Sequence, residues 1–344
     1  MQVLLNSDLS VANTLALPCI ADYKLIVNSA QELPAAIAFA AEKNLPWLVL
    51  GQGSNVVLPS KLHAVVICLS IDGVEITAVG NNLVKAKIGA GEPWHNLVGN
   101  LLQQGFFGLE NLALIPGLAG AAPVQNIGAY GRDISEFIDS VEVYDLEQQQ
   151  VRCLSSAECN FSYRSSIFKT VAVQRYIITG LNLLLGTKDA INISYGGLAA
   201  ELKNIVAPTA INVFDAVVRI RSAKLPDPAV QPNAGSFFKN PVVDASHYQR
   251  LLKAYPDLVA YPQADGKVKL AAGWLIDNAG WKGKRIGAVE THSKQALVLV
   301  NVGGATSEDI LSYAVALSAA IEDLYQVRLQ REPVVYSASC QRLA

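Results

Sequence analysis

Residues 111–131 read NLALIPGLAGAAPVQNIGAYG, a stretch without a single Asp, Glu, Lys or Arg. On length alone it could span a bilayer. It carries Pro116 and Pro123, glycines at 117, 120, 128 and 131, and the polar Asn111, Gln125 and Asn126. A helix of that content would leave backbone groups unsatisfied in lipid, so no membrane insertion is expected. The stretch reads instead as loop backbone buried against something other than protein. Backbone N–H groups in glycine-rich turns neutralise a pyrophosphate with little formal charge. No GxGxxG follows a first strand, so a Rossmann dinucleotide site is not supported. The pattern points to a nucleotide cradle of another design.

Composition agrees with a compact enzyme. The chain has 344 residues, 51% of them apolar and 16% charged, against about 25% charged in an average globular protein. That length suggests roughly two or three domains. The formal charge is −2, with no basic block able to neutralise a phosphate backbone, which argues against nucleic acid as a partner. The N-terminus MQVLLNSDLS has no positive region ahead of an apolar run, so no signal peptide is expected and a cytoplasmic location is. Cysteines 19, 68, 153, 159 and 340 form no CxxC, and fit reduced thiols packed as small apolar residues. Histidines 63, 95, 247 and 292 show no metal spacing, so no metal is expected.

Outward from the central stretch, Pro93 opens a helix with Trp94, Leu97, Val98, Leu101 and Leu102 on one face and Gly105 at its end. Strands are expected at 64–69, 73–79, 83–88, 138–144 and 175–185. Nearer the start, Ser29-x-x-Glu32 reads as a capping box for a helix carrying Leu33, Ala36, Ile37 and Ala40, followed by a short strand at 47–50. Past residue 187 helices are expected at 209–220, 245–254, 270–279 and 307–325, the last presenting Ile310, Ala314, Leu317, Ile321 and Leu324. A strand at 296–301 and a strand-like tail at 327–336 complete the pattern. Strands and helices mix without strict alternation, which favours α+β.

Four clusters could carry chemistry. GQGSN at 51–55 is either a phosphate-binding turn or a plain tight turn. PGLAGAAPVQNIGAYG at 116–131 is the stronger nucleotide candidate. Arg164, in SYRSSIFK, is a permanent cation that serves either a ligand or a structural ion pair. Ser236, in AGSFFKNP, either presents a hydroxyl to a water-poor pocket or turns the chain beneath a core. Ser166/Lys169 and Ser236/Lys239 also form the SxxK of penicillin-recognising acyl enzymes, but no SDN or KTG accompanies them in useful order.

Taken in order, GQGSN, GLENLALIPG (108–117), PVQNIGAYG (123–131), SYRSSIFK (162–169), AGSFFKNP (234–241), YPQADG (261–266) and KLAAGWLID (269–277) resemble the UDP-N-acetylenolpyruvoylglucosamine reductase (MurB) family over nearly the whole chain. The resemblance implies a flavin-binding fold of the vanillyl-alcohol-oxidase (PCMH) type with a separate α+β substrate domain. It divides the chain into 1–72 completed by 327–344, then 73–225, then a substrate domain at 226–326. It implies FAD held by Gly51, Gln52, Gly53, Ser54, Asn55, Ile115, Pro116, Gly117, Asn126, Ile127, Gly128, Ala129, Tyr130, Gly131 and Tyr163, with NADPH as co-substrate. Arg164 then stabilises the enolate formed on hydride transfer, Glu332 assists at the enol, and Ser236 gives a proton to the α-carbon, with Lys239 a candidate to support its acidity. Tyr195 and Tyr261 resemble the longer form of the family, in which a tyrosine-bearing loop closes on the UDP-sugar, and Lys224, Asn240 and Gln295 match positions on the nucleotide or its diphosphate. The protein is expected to be a monomer. Two other readings fall outside this family. An oxidase of the same fold should lack the Arg164, Ser236 and Glu332 trio, and a nucleotide-binding protein without turnover has no need of it. The chain departs from the family at Pro333, where valine is usual, and the proline is expected to remove a strand hydrogen bond beside Glu332.

Overall fold

The computed structural model describes residues 1–170 and 174–343; residues 171–173 and Ala344, inside the expected 73–225 and 327–344 segments, lie outside them. The chain forms two compact units. The first comprises Met1–Ser7, Ala21–Gln52 and Ala64–Ser222, and the second Asp8–Ile20, Gly53–His63 and Ala223–Ala344.

In the first unit a four-stranded sheet runs in the order Gln2–Asp8, Ile20–Val27, Lys61–Leu69, Trp47–Val49. The short strand Trp47–Val49 lies parallel to Lys61–Leu69, with Leu48 opposite Val66. Helix Leu33–Glu42 buries Leu33, Ala36 and Ala40 against Leu25, Val27, Val65 and Ile67. The expected capping box does not form: Ser29 makes no side-chain cap, and the Glu32 carboxylate instead accepts from the Asn28 N–H at 2.8 Å and from the N-terminal ammonium.

A five-stranded antiparallel sheet follows, ordered Gln150–Ser155, Ile138–Asp145, Tyr176–Gly186, Leu83–Gly89, Val74–Gly80. Its middle strand is buried on both faces, which explains the near-continuous apolar run of Tyr176–Gly186. Leu83–Gly89 alternates as a half-buried strand should: Val84, Ala86 and Ile88 point inward. Lys85 and Lys87 point outward to Asp139 and Glu142, at 2.6 and 3.5 Å. Helix Trp94–Gln103 buries all five expected apolar residues, and helix Ala210–Lys224 adds Val213, Ala216 and Val217 to the same core.

The second unit carries a four-stranded sheet ordered Asn233–Ser236, Val298–Asn301, Val289–Thr291, Arg285–Ile286, and a smaller one ordered Val242–Val243, Val268–Leu270, Ala260–Pro262. Helix Ser307–Tyr325 begins at a capping box between Thr306 and Asp309. It packs Ile310, Tyr313, Ala314, Leu317, Ile321 and Tyr325 into the core, while Leu324, expected there, is 51% exposed. The expected strand 327–336 is strand only over Val334–Tyr336, which runs parallel to Val56–Val57 and antiparallel to Arg342–Leu343. Among the described residues no helix is long and apolar enough to cross a membrane.

Candidate functional site

The charge-free loop is tied down by the helix before it. Trp94 donates its backbone N–H to Gly117 O at 3.0 Å and its indole N–H to Leu112 O at 2.9 Å. Gly117 donates in turn to Gln52 Oε1 at 3.1 Å, which joins the 115–118 turn to the turn at Gly51–Gln52. Ala119, Gly120, Ala121, Ala122, Val124, Asn126 and Ile127 all donate to nearby carbonyls, so much of the loop is satisfied by protein. Gly120 is required by packing, since a Cβ there would lie 2.7 Å from that of Ala90. Gly117 has φ +127°, open only to glycine.

Around residues 126–131 the chain makes a turn in which Asn126 and Tyr130 both have positive φ. Asn126 anchors it, donating to Ser162 O at 3.2 Å and accepting from the Ser135 N–H at 3.0 Å. Ser162 and Ser165 exchange backbone hydrogen bonds of 3.0 and 3.1 Å across the Tyr163–Arg164 tip, with Arg164 at φ +53°. The tip therefore holds the Arg164 guanidinium against the turn: one terminal nitrogen donates to Gly128 O at 2.8 Å and the other lies 3.5 Å from Asn126 O. Tyr195 meets Tyr130 edge to face at 5.2 Å between centroids and is half exposed. Asn111 donates to both Tyr130 O and Asn192 O at 2.9 Å, joining the turn to the segment that carries Tyr195, while its own Oδ1 is buried without a partner among the described residues.

Arg221 was not a sequence candidate, because an arginine on an amphipathic helix reads as part of a solvated face. The structure places it partly buried, its Nε donating to Leu114 O at 3.3 Å. Its terminal nitrogens have no partner among the described residues. Burial lowers its pKa, the nearby Arg164 lowers it further, and Tyr130 opposes them. Two guanidinium groups at one turn, one of them with unused donors, suit an anionic or electron-rich ligand.

In the second unit, Gly53 O accepts from the Thr14 N–H at 3.2 Å, and a Cβ on Gly53 would sit 2.3 Å from Ala12 O. Asn55 O accepts from the Val334 N–H at 3.0 Å. Ser236 ends the strand Asn233–Ser236, and the next residue, Phe237, accepts from the Glu332 N–H at 2.9 Å. Ser236 and Glu332 therefore sit on paired backbones. The N–H groups on either side of Pro333, at 332 and 334, both have partners, so the pairing of Glu332 with Phe237 is kept beside the proline. Neither Ser236 Oγ nor Lys239 Nζ has a partner among the described residues, and the two do not bond to each other. Asn240 Oδ1 accepts from the Ala272 N–H at 3.0 Å, and its amide N–H groups have no partner among the described residues. Gln295 Oε1 lies beside Gly273, 3.5 Å from where a Cβ would be. Lys224 and Tyr261 are exposed and join neither of these clusters. In the first unit, Ser166 Oγ donates to Val124 O at 2.7 Å, a structural use that leaves the SxxK acyl-enzyme reading without a nucleophile there.

The donor set fits a flavin nucleotide. The backbone N–H groups of Gly51, Gln52, Ile115 and Leu118 have no partner among the described residues and lie in turns joined through Gln52 and Gly117. An uncharged loop with spare N–H donors can take a pyrophosphate or the polar edge of an isoalloxazine without burying a charge of its own. Comparison with known proteins agrees. Residues 21–154 match the FAD binding domain, and residues 227–336 match the UDP-N-acetylenolpyruvoylglucosamine reductase C-terminal domain. The UDP-N-acetylenolpyruvoylglucosamine reductase of Alcanivorax borkumensis is 46% identical over 96% of this chain and 95% of its own length. The chain belongs to the UDP-N-acetylenolpyruvoylglucosamine reductase family. A second member, from Cupriavidus pinatubonensis, is 47% identical over 94% of this chain and 96% of its own. The crystal structure of the MurB reductase from Thermus caldophilus superposes with a TM-score of 0.67 over 98% of each chain at 24% identity, which shows a shared fold. The α+β class and the flavin-binding fold expected from the sequence both stand.

Proposed function

We propose that this chain carries out the reaction for which its family is named: NADPH-dependent reduction of UDP-N-acetylenolpyruvoylglucosamine to UDP-N-acetylmuramate, a step of peptidoglycan precursor synthesis in the cytoplasm. FAD, when bound, would supply the hydride chemistry between NADPH and the β-carbon of the enolpyruvyl ether. Arg164 stabilises the negative charge that then develops on the α-carbon and carboxylate, usually the largest catalytic contribution. Its support is the guanidinium held at the 126–131 turn by Gly128 O. Ser236 gives the proton that completes the reduction, and Glu332 assists at the enol oxygen. The observation that carries this assignment is the Glu332 N–H bonded to Phe237 O, which ties the acid to the residue next to a serine whose hydroxyl has no partner among the described residues.

Residues 51–55, 115–117, 126–131 and Tyr163 would hold the FAD. Tyr195, Lys224, Asn240, Tyr261 and Gln295 receive the UDP-sugar. The amide donors of Asn240 and the ammonium of Lys224, which have no partner among the described residues, suit a diphosphate. The division into 1–72 with 327–344, 73–225 and 226–326 belongs to the same proposal, supported by the pairing of Val334–Tyr336 with Val56–Val57, and the protein acts as a monomer. The test is a visible spectrum of the purified protein. A yellow protein that bleaches with NADPH under anaerobic conditions and recovers colour only with the enolpyruvyl UDP-sugar is expected. Rapid reoxidation by air but not by the sugar would refute the assignment in favour of an oxidase.

A further inference from the structure

The turn that carries Ile115, Pro116 and Gly117 is entered through Leu114, whose φ is +57°. A leucine in the left-handed region is strained, and such a residue persists only where its surroundings hold it. Two side chains do so from opposite ends of its backbone. The Leu114 N–H donates to His95 Nδ1 at 3.1 Å, and Arg221 Nε donates to Leu114 O at 3.3 Å. His95 lies in the first turn of helix Trp94–Gln103, and Arg221 in the last turn of helix Ala210–Lys224. The imidazole is stacked on Phe214 of the second helix, with centroids 5.4 Å apart and planes within 7° of parallel. Its neighbour Trp94 grips the same loop at Leu112 O and Gly117 O. Nothing in the proposed reaction uses His95.

We infer that His95 is a positioning residue for the flavin, acting through Leu114: by accepting the Leu114 N–H it holds the left-handed conformation that aims the free donors at Ile115 and Leu118 toward the cofactor. The inference rests on the reading of the 115–117 turn as part of the flavin site. It requires a neutral ring with a bare Nδ1, because an imidazolium has no acceptor. Burial first, and then Arg221, keep the ring below its ordinary value of 6.5. The loop residues 111–118 carry no charge, and the charged group that acts on the ring from the facing helix is Arg221. A loosened loop frees the ring to bind a proton at its higher, ordinary value. Acidification through that range therefore favours the loosened loop and release of the cofactor.

The test uses the holoenzyme and two variants. His95→Phe keeps a flat ring on Phe214 and removes the acceptor, whereas His95→Asn places an amide oxygen close to where Nδ1 stood. Two quantities are read: hydrogen–deuterium exchange of the 109–118 stretch, and the rate of FAD release on dilution, followed by flavin fluorescence. In His95→Phe the stretch should exchange faster and FAD should leave roughly tenfold faster, as expected for one N–H left without an acceptor. That rate should be the same at about pH 8 and about pH 5.5, whereas wild type should speed up at the lower value. His95→Asn should restore slow release and lose the pH dependence. Unchanged exchange in His95→Phe would refute the clamp itself. Faster exchange with unchanged FAD release would overturn the inference through the reading it rests on, since the loop would then not be the flavin's. If His95→Phe does not fold, wild type and His95→Asn decide: release that accelerates on acidification in wild type alone supports the inference, and any other pattern overturns it.

Discussion

Replacing Ser236 by alanine separates the two halves of the proposed reaction. The strand Asn233–Ser236 is held through its backbone, with Asn233 opposite Val300 and Ser236 opposite Val298. The hydroxyl has no hydrogen-bond partner among the described residues, so its removal orphans no buried donor or acceptor among them. The cost to stability should stay within about 0.5 kcal/mol, the range of substitutions that touch no packed or bonded feature. The cost to chemistry should be much larger. A placed general acid is worth about 10²- to 10⁴-fold in rate, or roughly 3–5 kcal/mol of barrier. NADPH reduces the flavin before the sugar is present, so this step should keep its rate to within about twofold, since the proton donor has no role in it. The assay is anaerobic rapid mixing: oxidised enzyme with NADPH, then reduced enzyme with the enolpyruvyl UDP-sugar, each followed by flavin absorbance. Equal loss in both half-reactions would refute the reasoning, as would loss of less than about tenfold in the second, which is below the range for a general acid.

Three further outcomes follow from named contacts. Arg164→Lys keeps the charge but not the planar fork that reaches Gly128 O and Asn126 O. The half-reaction with the sugar should slow by about 10²- to 10³-fold, as when an oxyanion donor is lost, with flavin content unchanged. Asn301→Ala removes an amide that donates to Leu15 O at 2.9 Å and accepts from Gly303 and Ala305 N–H at 2.9 and 3.1 Å. With three backbone groups abandoned at about 1 kcal/mol each, urea unfolding should show a loss of about 3 kcal/mol. Glu110 is buried and accepts the Gly108 N–H at 2.7 Å; desolvation raises its carboxyl above the ordinary 4.5. The unfolded chain therefore releases this proton first as pH rises, and stability falls through that range. Glu110→Gln keeps an acceptor oxygen without the charge, so its melting temperature should exceed that of wild type at neutral pH and converge with it below the ordinary glutamate range.

Much of the helical framework was legible because 3.6-residue spacing and end signals agree, as at Trp94–Gln103 after Pro93 and at Ser307–Tyr325 after Thr306. Two strands that face solvent were not, although the exposed edge strand Val74–Gly80 was. Gln2–Asp8 and Gln150–Ser155 lie at sheet edges with most of their residues exposed, so they lack the alternation that marks a half-buried strand. Ser29-x-x-Glu32 carried the right letters for a capping box, but the glutamate found stronger donors in the Asn28 N–H and the N-terminal ammonium. At the site, Arg164 could be singled out as a cation in a loop, while its left-handed backbone could not be read from residue type. Arg221 and His95 left no local signal, because their importance comes from reaching one backbone unit of Leu114 from two different helices.

Pro333 departs from the family pattern directly beside Glu332, and its two neighbours keep their backbone bonds. A proline beside Glu332 removes a donor in a segment whose backbone positions the acid, and counting residues alone predicts a lost strand bond. The segment uses its donors selectively. Glu332 N–H goes to Phe237 O, Val334 N–H goes to Asn55 O, and Gln330 O accepts from the Lys239 N–H at 2.9 Å. The bonds at 332 and 334 form with proline between them. What proline adds is a fixed φ, which reduces the freedom of the chain directly after the acid. The carboxylate therefore leaves a backbone held by the Glu332 N–H on one side and by the pyrrolidine ring on the other, the stiffness that the role proposed for it at the enol would call for.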